Sequence, residues 1–165
     1  MPFSITWVAH CAGPEQVVSI QTPAGRLALT VCGDVIVNTD WLLDHETAPP
    51  PSEHWQRVFD AYGSGADNTI ALKLLAQGSP YRRRVWEELC RIPCGTTLSY
   101  AALANILNSS PRAVGNACRD NPYAPIIPCH RIVSASGLGG YCGATEGALL
   151  DIKIKLLRFE AEQCR

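Results

Sequence analysis

The sequence predicts an α/β (α+β) protein in two parts. Residues 1–78 form a small sheet domain with one helix, and residues 79–165 form a mostly helical domain holding a helix-turn-helix. Three observations predict this. Short β-branched runs punctuated by Pro, Gly and Asp crowd the first part, whereas two Ser-Pro dipeptides open stretches of helical period in the second. The charge also changes sign: three basic residues stand against eight acidic ones up to residue 78, and eleven against seven beyond it. With 47% hydrophobic and 18% charged residues the chain is not of disordered type. No apolar run approaches the roughly 20 residues that span a bilayer, and Met1 to Trp7 lack the basic flank and apolar core of a signal peptide. A cytoplasmic protein without membrane contact is expected.

The elements follow in order. Val17-Val18-Ser19-Ile20, Leu27 to Val31 and Val35-Ile36-Val37 are short strands, separated by Thr22-Pro23-Ala24-Gly25 and Cys32-Gly33-Asp34, and so read as an antiparallel meander. Ala48-Pro49-Pro50-Pro51 reads as a stiff linker, and Ser52 caps a helix to about Tyr62. Ile70, Leu72 and Leu74 alternate with Ala71 and Lys73 as in one more strand. Ser79-Pro80 opens a helix to about Arg91, with Val85, Trp86, Leu89 and Ile92 facing the core, and Pro93-Cys94-Gly95 stops it. A helix from about Ser99 to Leu107, a turn at Asn108-Ser109 and a second cap at Ser110-Pro111 give a helix-turn-helix candidate ending near Arg119.

The second of these helices presents Arg112, Asn116 and Arg119 at i, i+4 and i+7. Ala113, Gly115 and Ala117 keep its bulk low, so that it can approach a backbone or groove closely. On the residues alone, a solvated face on a well-packed helix fits equally. The basic second part favours an anionic partner over the acidic first part.

Cys11, Cys32, Cys90, Cys94, Cys118, Cys129, Cys142 and Cys164 show neither a framework spacing nor a CxxC pair, which predicts free thiols, most of them buried. The segment Pro125-Ile126-Ile127-Pro128-Cys129-His130-Arg131-Ile132-Val133 sets polar groups in an apolar run, as in a half-buried strand or turn. A buried thiol is inert unless a base or a positive field favours its thiolate, and His130 and Arg131 are residue types that supply these. Neighbours on an extended chain point to opposite faces, so a bridging water or a turn at Pro128 is required to connect Cys129 with His130. Glu160 is placed to orient the other imidazole nitrogen. A structural Cys beside a core histidine remains the alternative.

Pro128-Cys129-His130-Arg131, with Asn121-Pro122 and Arg112-Ala113-Val114-Gly115 before it, resembles the signature of the O6-alkylguanine-DNA alkyltransferases. The resemblance extends through Ser79-Pro80-Tyr81, Val85-Trp86, Ile92-Pro93-Cys94-Gly95 and Ser99-Tyr100, and onward to Gly137, Gly140-Tyr141, Leu156-Leu157 and Glu160. It covers residues 79–160, and is weaker in the first part, around Thr22 to Gly25. It implies direct reversal of damage in double-stranded DNA by a monomer: one irreversible transfer of an alkyl group from O6-alkylguanine, with O4-alkylthymine as a further substrate, to Cys129. It further implies His130 as a water-mediated base polarised by Glu160, Asn121 fixing the adjoining turn, and Tyr100 donating a proton to the departing base. Tyr141, Pro128 and Cys142 would wall the alkyl pocket, and Arg112 would fill the gap left by a flipped nucleotide. Ala113, Gly115, Asn116 and Arg119 complete the DNA-facing set.

Two departures stand out. The stretch between Tyr141 and Leu156 is about five residues longer than the compact family pattern, around Ala144-Thr145-Glu146-Gly147, and Cys142 stands where small polar residues are common. No cofactor and no required metal are expected: Cys32 falls near a zinc-ligand position of some members, but Val37 stands at another. The alternatives are a helix-turn-helix damage sensor or regulator without transfer, and a Cys-His hydrolase, for which no oxyanion-hole glycine cluster precedes Cys129.

Overall fold

The computed structural model describes residues 3–63 and 69–164; Met1 and Pro2, the first residues of the segment compared above with a signal peptide, lie outside them. The chain divides into two compact units, Met1–Gln77 and Gly78–Arg165.

The first unit is a five-stranded sheet of order β1-β5-β4-β3-β2. The expected meander is β2 (Gln16–Thr22), β3 (Gly25–Cys32) and β4 (Val35–Leu42), paired antiparallel. β5 (Ile70–Leu75) joins β4 in parallel, and β1 (Phe3–Val8) joins β5 in parallel. β1 was not among the strands read from sequence. Phe3, Ile5 and Trp7 do alternate with Ser4 and Thr6, but the partner that makes them a strand lies about seventy residues away. α1 (Glu53–Gly63) starts at the Ser52 cap and buries Trp55, Phe59 and Tyr62 at helical spacing, with both Phe59 and Tyr62 in ring contact with Phe3. The proline segment proves to be more than a spacer. Ser19 of β2 donates its backbone N–H to Pro50 O at 2.9 Å and its hydroxyl to Pro49 O at 2.7 Å, while Ser52 N–H donates back to Ser19 O. Prolines lack N–H groups, so this stretch offers carbonyls to a strand edge.

The second unit runs α2 (Pro80–Leu89), β6 (Leu98–Ser99), α3 (Tyr100–Ile106), α4 (Pro111–Arg119), a 3₁₀ turn at Cys129–Arg131, β7 (Ile132–Val133) and α5 (Ala148–Gln163). Three serines start three helices in the same way: the hydroxyls of Ser79, Ser99 and Ser110 accept from the N–H of Arg82, Ala102 and Ala113. Each satisfies an otherwise orphaned donor of a first turn. Asn108, at φ 54°, reverses the chain between α3 and α4, and Ser109 N–H closes the turn onto Ala104 O at 2.8 Å. Val85, Trp86, Leu89 and Ile92 are all buried, and Trp86 Nε1 donates to Ala117 O at 2.8 Å. Ala117 is therefore on the inner face of α4 with Val114 and Cys118, not on its open side as expected. A period of 3.6 puts i+3 from Val114 back over the core.

The expectation of free thiols is corrected at one pair. Cys94 and Cys164 are joined in a disulfide across 70 residues, tying the loop after α2 to the end of α5. Neither cysteine belongs to a local spacing pattern, so only the packing of α5 brings them together. Among the described residues no helix is long and apolar enough to cross a membrane.

Gly78 opens the second unit at φ +85°, and a Cβ there would lie 2.6 Å from Trp86 Cη2. Gly78→Ala is expected to destabilise this unit by about 1–3 kcal/mol, through backbone strain and displacement of the indole. Urea unfolding followed by tryptophan fluorescence checks this; an unchanged midpoint contradicts it.

Candidate active site

The site begins at a proline. Pro128 has φ −82° and ψ 63°, and Cys129 N–H donates to Ile127 O at 2.8 Å, which together make an inverse γ-turn. The ring fixes the φ that this turn needs. The chain then tightens into the 3₁₀ turn, so Cys129 and His130 do not alternate as on a strand. Asn121 braces the approach: its Oδ1 accepts from Tyr123 N–H and its Nδ2 donates to Ile127 O, both at 2.9 Å. Rather than half-buried, the triplet is enclosed, with Cys129 4%, His130 0% and Arg131 2% exposed.

Enclosed charges need partners, and Glu160 of α5 supplies them. Its Oε1 faces His130 Nε2 at 2.8 Å and accepts from Arg131 Nη2 at 2.7 Å, while Oε2 accepts from Arg131 Nε at 2.9 Å. Arg131 Nη1 donates to Ile92 O at 2.6 Å. Burial opposes a charge on Glu160, but the hydrogen bonds from His130 and Arg131, with the guanidinium charge, outweigh it and hold the carboxyl at about 2. Burial also pushes the His130 imidazolium below its usual range, against the pull of Glu160, so the ring is neutral at pH 7. An ionised carboxylate can only accept, so Nε2 carries the ring proton and Nδ1 keeps a lone pair. Nδ1 is buried with no hydrogen-bond partner among the described residues. It is the atom able to take a proton.

The thiol of Cys129 is drawn towards thiolate. A side-chain hydrogen bond from Cys142 favours the charged form most, burial opposes it, and Asn121, the Lys153 charge and its own backbone N–H add to the favourable side. Lys153 is wholly buried and spends its three donors on Ile132 O, Leu138 O and Gly140 O, at 2.6, 2.6 and 2.9 Å. It thus fixes the 138–140 loop beside the site and brings a positive charge near the sulfur. Lys153 was not among the residues picked from sequence. The signal was available: Lys153 and Glu160 interrupt the buried stripe of α5 that Ile152 and Leu156 otherwise make apolar.

Cys129 opens on a cleft of about 150 Å³. Tyr100, Cys118, Tyr141 and Cys142 share its lining with Cys129, and Gly115 and Arg119 bring α4 to its edge. β6 pairs with β7, Leu98 with Ile132, which sets the start of α3 against the Cys129 turn. Burial, reinforced by the charges of Cys118 and Cys129, pushes the Tyr100 hydroxyl up to about 12, so it stays protonated. Gly115 faces Tyr100 rather than open solvent, as an added Cβ would sit 3.8 Å from Tyr100 Cε1. Arg112, Asn116 and Arg119 are exposed on α4, and Ala113 is half-buried. The stretch around Ala144 forms part of the cleft wall: Tyr141 and Ala144 exchange backbone hydrogen bonds, and Thr145 also lines it. Among the described residues no cluster of three His, Cys, Asp or Glu side chains has metal-holding geometry.

The family model described as 6-O-methylguanine DNA methyltransferase, DNA binding domain, matches residues 80–162. A methylated-DNA–protein-cysteine methyltransferase of Archaeoglobus fulgidus is 41% identical over 109 residues, which cover 64% of this chain and 73% of that one. The protein of the same name from Mycobacterium bovis is 35% identical over 150 residues, covering 82% and 90%. Among solved structures, Mycobacterium tuberculosis OGT in complex with DNA superimposes with a TM-score of 0.72 at 33% identity, covering 89% of this chain and 93% of that one. The O6-methylguanine methyltransferase of the same organism gives 0.74 at 33% identity over 91% and 94%.

The Glu160 carboxylate contributes stability that is whole above about 4.5 and disappears as pH falls through about 2, because folding lowers its pKa. Glu160→Gln leaves Arg131 buried without its counter-charge, at a cost of about 3–5 kcal/mol. Denaturant unfolding from pH 7 down to pH 2 is expected to show a steeper acid loss in the unaltered protein than in this variant. Parallel curves would contradict the assignment.

Proposed function

The chain belongs to the methylated-DNA–protein-cysteine methyltransferases, and from that premise we propose how its own residues repair O6-alkylguanine. The observation that carries the reading is Cys129: a thiol favoured as thiolate, opening on a cleft whose edge is the arginine-bearing helix α4.

An atom stacked inside a duplex is out of reach, so the damaged nucleotide is turned out at a cost of roughly a few kcal/mol. α4 docks in the minor groove, where its lack of bulk at Ala113 allows close approach, and Arg112 fills the place of the extruded base. Asn116 and Arg119 contact the backbone. The base enters the cleft between Tyr100 and Tyr141, with Cys142 forming the wall near the alkyl group; Pro128, expected beside it, is not in the cleft lining and acts by shaping the turn before Cys129. His130 Nδ1 takes the Cys129 proton through a water, since it has no direct hydrogen-bond partner among the described residues. The sulfur attacks the alkyl carbon in line, the S–C bond forms as the C–O6 bond breaks, and the electron pair leaves with the guanine. Tyr100, held protonated, gives its proton to the ring nitrogen of that leaving group. Asn121, Glu160 and Lys153 act as positioning residues: Asn121 braces the turn, Glu160 fixes the imidazole tautomer, and Lys153 holds the loop. A thioether has no easy route back to thiol, so each molecule reacts once. O4-alkylthymine offers the same carbon–oxygen bond and is a second substrate of this reading. This reading takes the protein as a monomer, and a DNA substrate suits a cytoplasmic protein. A sensor without transfer has no use for a thiol so prepared.

Cys129→Ser is expected to abolish transfer while retaining duplex binding. Intact-mass spectrometry after incubation with a methylguanine duplex should show one added methyl group on the unaltered protein, mapped to Cys129, and none on the variant. A variant that still transferred at full rate would overturn the assignment.

Arg112→Ala should slow transfer from duplex DNA far more than from the free alkylated base; equal slowing would indicate a folding defect. Neutralising Arg112 or Arg119 should also flatten the dependence of affinity on salt, since each phosphate contact releases counterions. Arg26 donates to Leu43 O and Arg57 pairs with Glu53, so changing either should leave the slope alone. An equal effect from these first-unit arginines would place the DNA surface elsewhere.

A further inference from the structure

We propose that Cys129 and Cys142 form a reversible oxidation site in which hydroperoxides close a disulfide across the cleft. Two thiols line one small cavity and are joined by a side-chain hydrogen bond. Cys142 is held there by its backbone. It sits at φ 48°, beside Gly143 at φ 83°, in a two-residue turn closed by Tyr141 N–H to Ala144 O at 2.8 Å and Ala144 N–H to Tyr141 O at 2.9 Å. Left-handed backbone is costly for a residue other than glycine or asparagine, and a cysteine kept in that position faces the acceptor sulfur. Cys142 is half-exposed, so a small oxidant has access to the pair that a wholly buried thiol would not have.

The chemistry balances with a hydroperoxide as the two-electron oxidant. The Cys129 thiolate attacks the peroxide oxygen, the O–O bond breaks, and Cys129 becomes the sulfenic acid while hydroxide (or alkoxide) leaves. The Cys142 sulfur then attacks the Cys129 sulfur; the S–S bond forms and the S–O bond breaks. The hydroxyl leaves as water with the Cys142 proton. A thiol reductant reverses the pair to two thiols by exchange. Without a neighbour, the sulfenic acid proceeds to sulfinic acid, from which a protein that reacts once could not recover. Cys118 lines the same cleft but is buried on α4, where burial pushes its thiol well above the usual range, so it is the poorer partner.

The disulfide does not depend on Cys129 being the alkyl acceptor; the loss of transfer that it causes rests on that reading. The sequence makes the pair easy to map, because trypsin leaves Cys118, Cys129 and Cys142 on separate peptides, 113–119, 120–131 and 132–153. The full chain is treated with hydrogen peroxide, the peroxide is removed, free thiols are alkylated and the digest is read by mass. Linked 120–131 and 132–153 peptides, short of two hydrogens, are expected, with transfer lost and then restored by dithiothreitol. In Cys142→Ser, measured against its own untreated rate, recovery should be roughly ten-fold lower, with sulfinic acid on Cys129. A Cys118–Cys129 link, no link, or equal recovery in the variant would overturn the proposal. Reduced protein that forms the link but never transfers an alkyl group would instead overturn the functional reading.

Discussion

The second unit is organised around one buried carboxylate. Glu160 receives a two-pronged guanidinium from Arg131 and the ring of His130, and Arg131 reaches on to the carbonyl of Ile92. Three separate stretches of chain therefore meet at one point: the loop after α2, the 3₁₀ turn and α5. Such a cluster is not a source of net stability by itself, since desolvating the charges consumes most of their attraction. Its effect is to permit one arrangement only, because any shift of α5 strands a buried charge.

The chemistry of the site inherits that constraint. With Glu160 ionised, the imidazole tautomer is settled and Nδ1 is left as the nitrogen with a lone pair. Lys153, two turns before Glu160 on the same stripe of α5, does for the 138–140 loop what Glu160 does for the Cys129 turn. One helix thus holds both the Cys129 turn and the 138–140 loop of the cleft, and the Cys94–Cys164 disulfide fastens its end to the loop that carries Ile92. Cys142 is half-buried on its turn, whereas Cys118 and Cys129 of the same cleft are buried, which is why it combines contact with the acceptor and access to solvent.

The sequence by itself determined most of the elements, because their signals are local. Ser79, Ser99 and Ser110 cap helices where a serine precedes a helical period, Pro80 and Pro111 sit at first positions, and Thr22 to Gly25 turns the meander. Its residue types also pointed to Cys129, His130 and Glu160 as a prepared thiol, whereas Asn121, Tyr100 and Tyr141 were reached only through the family resemblance. The tertiary structure decided what no window of sequence contains. β1 became a strand on meeting β5, the proline run became a partner of Ser19, and Cys94 found Cys164 across 70 residues. Ala117 turned inward because helical phase is set by what α4 packs on, and Lys153 acquired its place because three carbonyls from separate positions converge on it. Capping and turn formation involve neighbours along the chain and are legible there; pairing, burial and proton position are set by groups that only folding brings within reach.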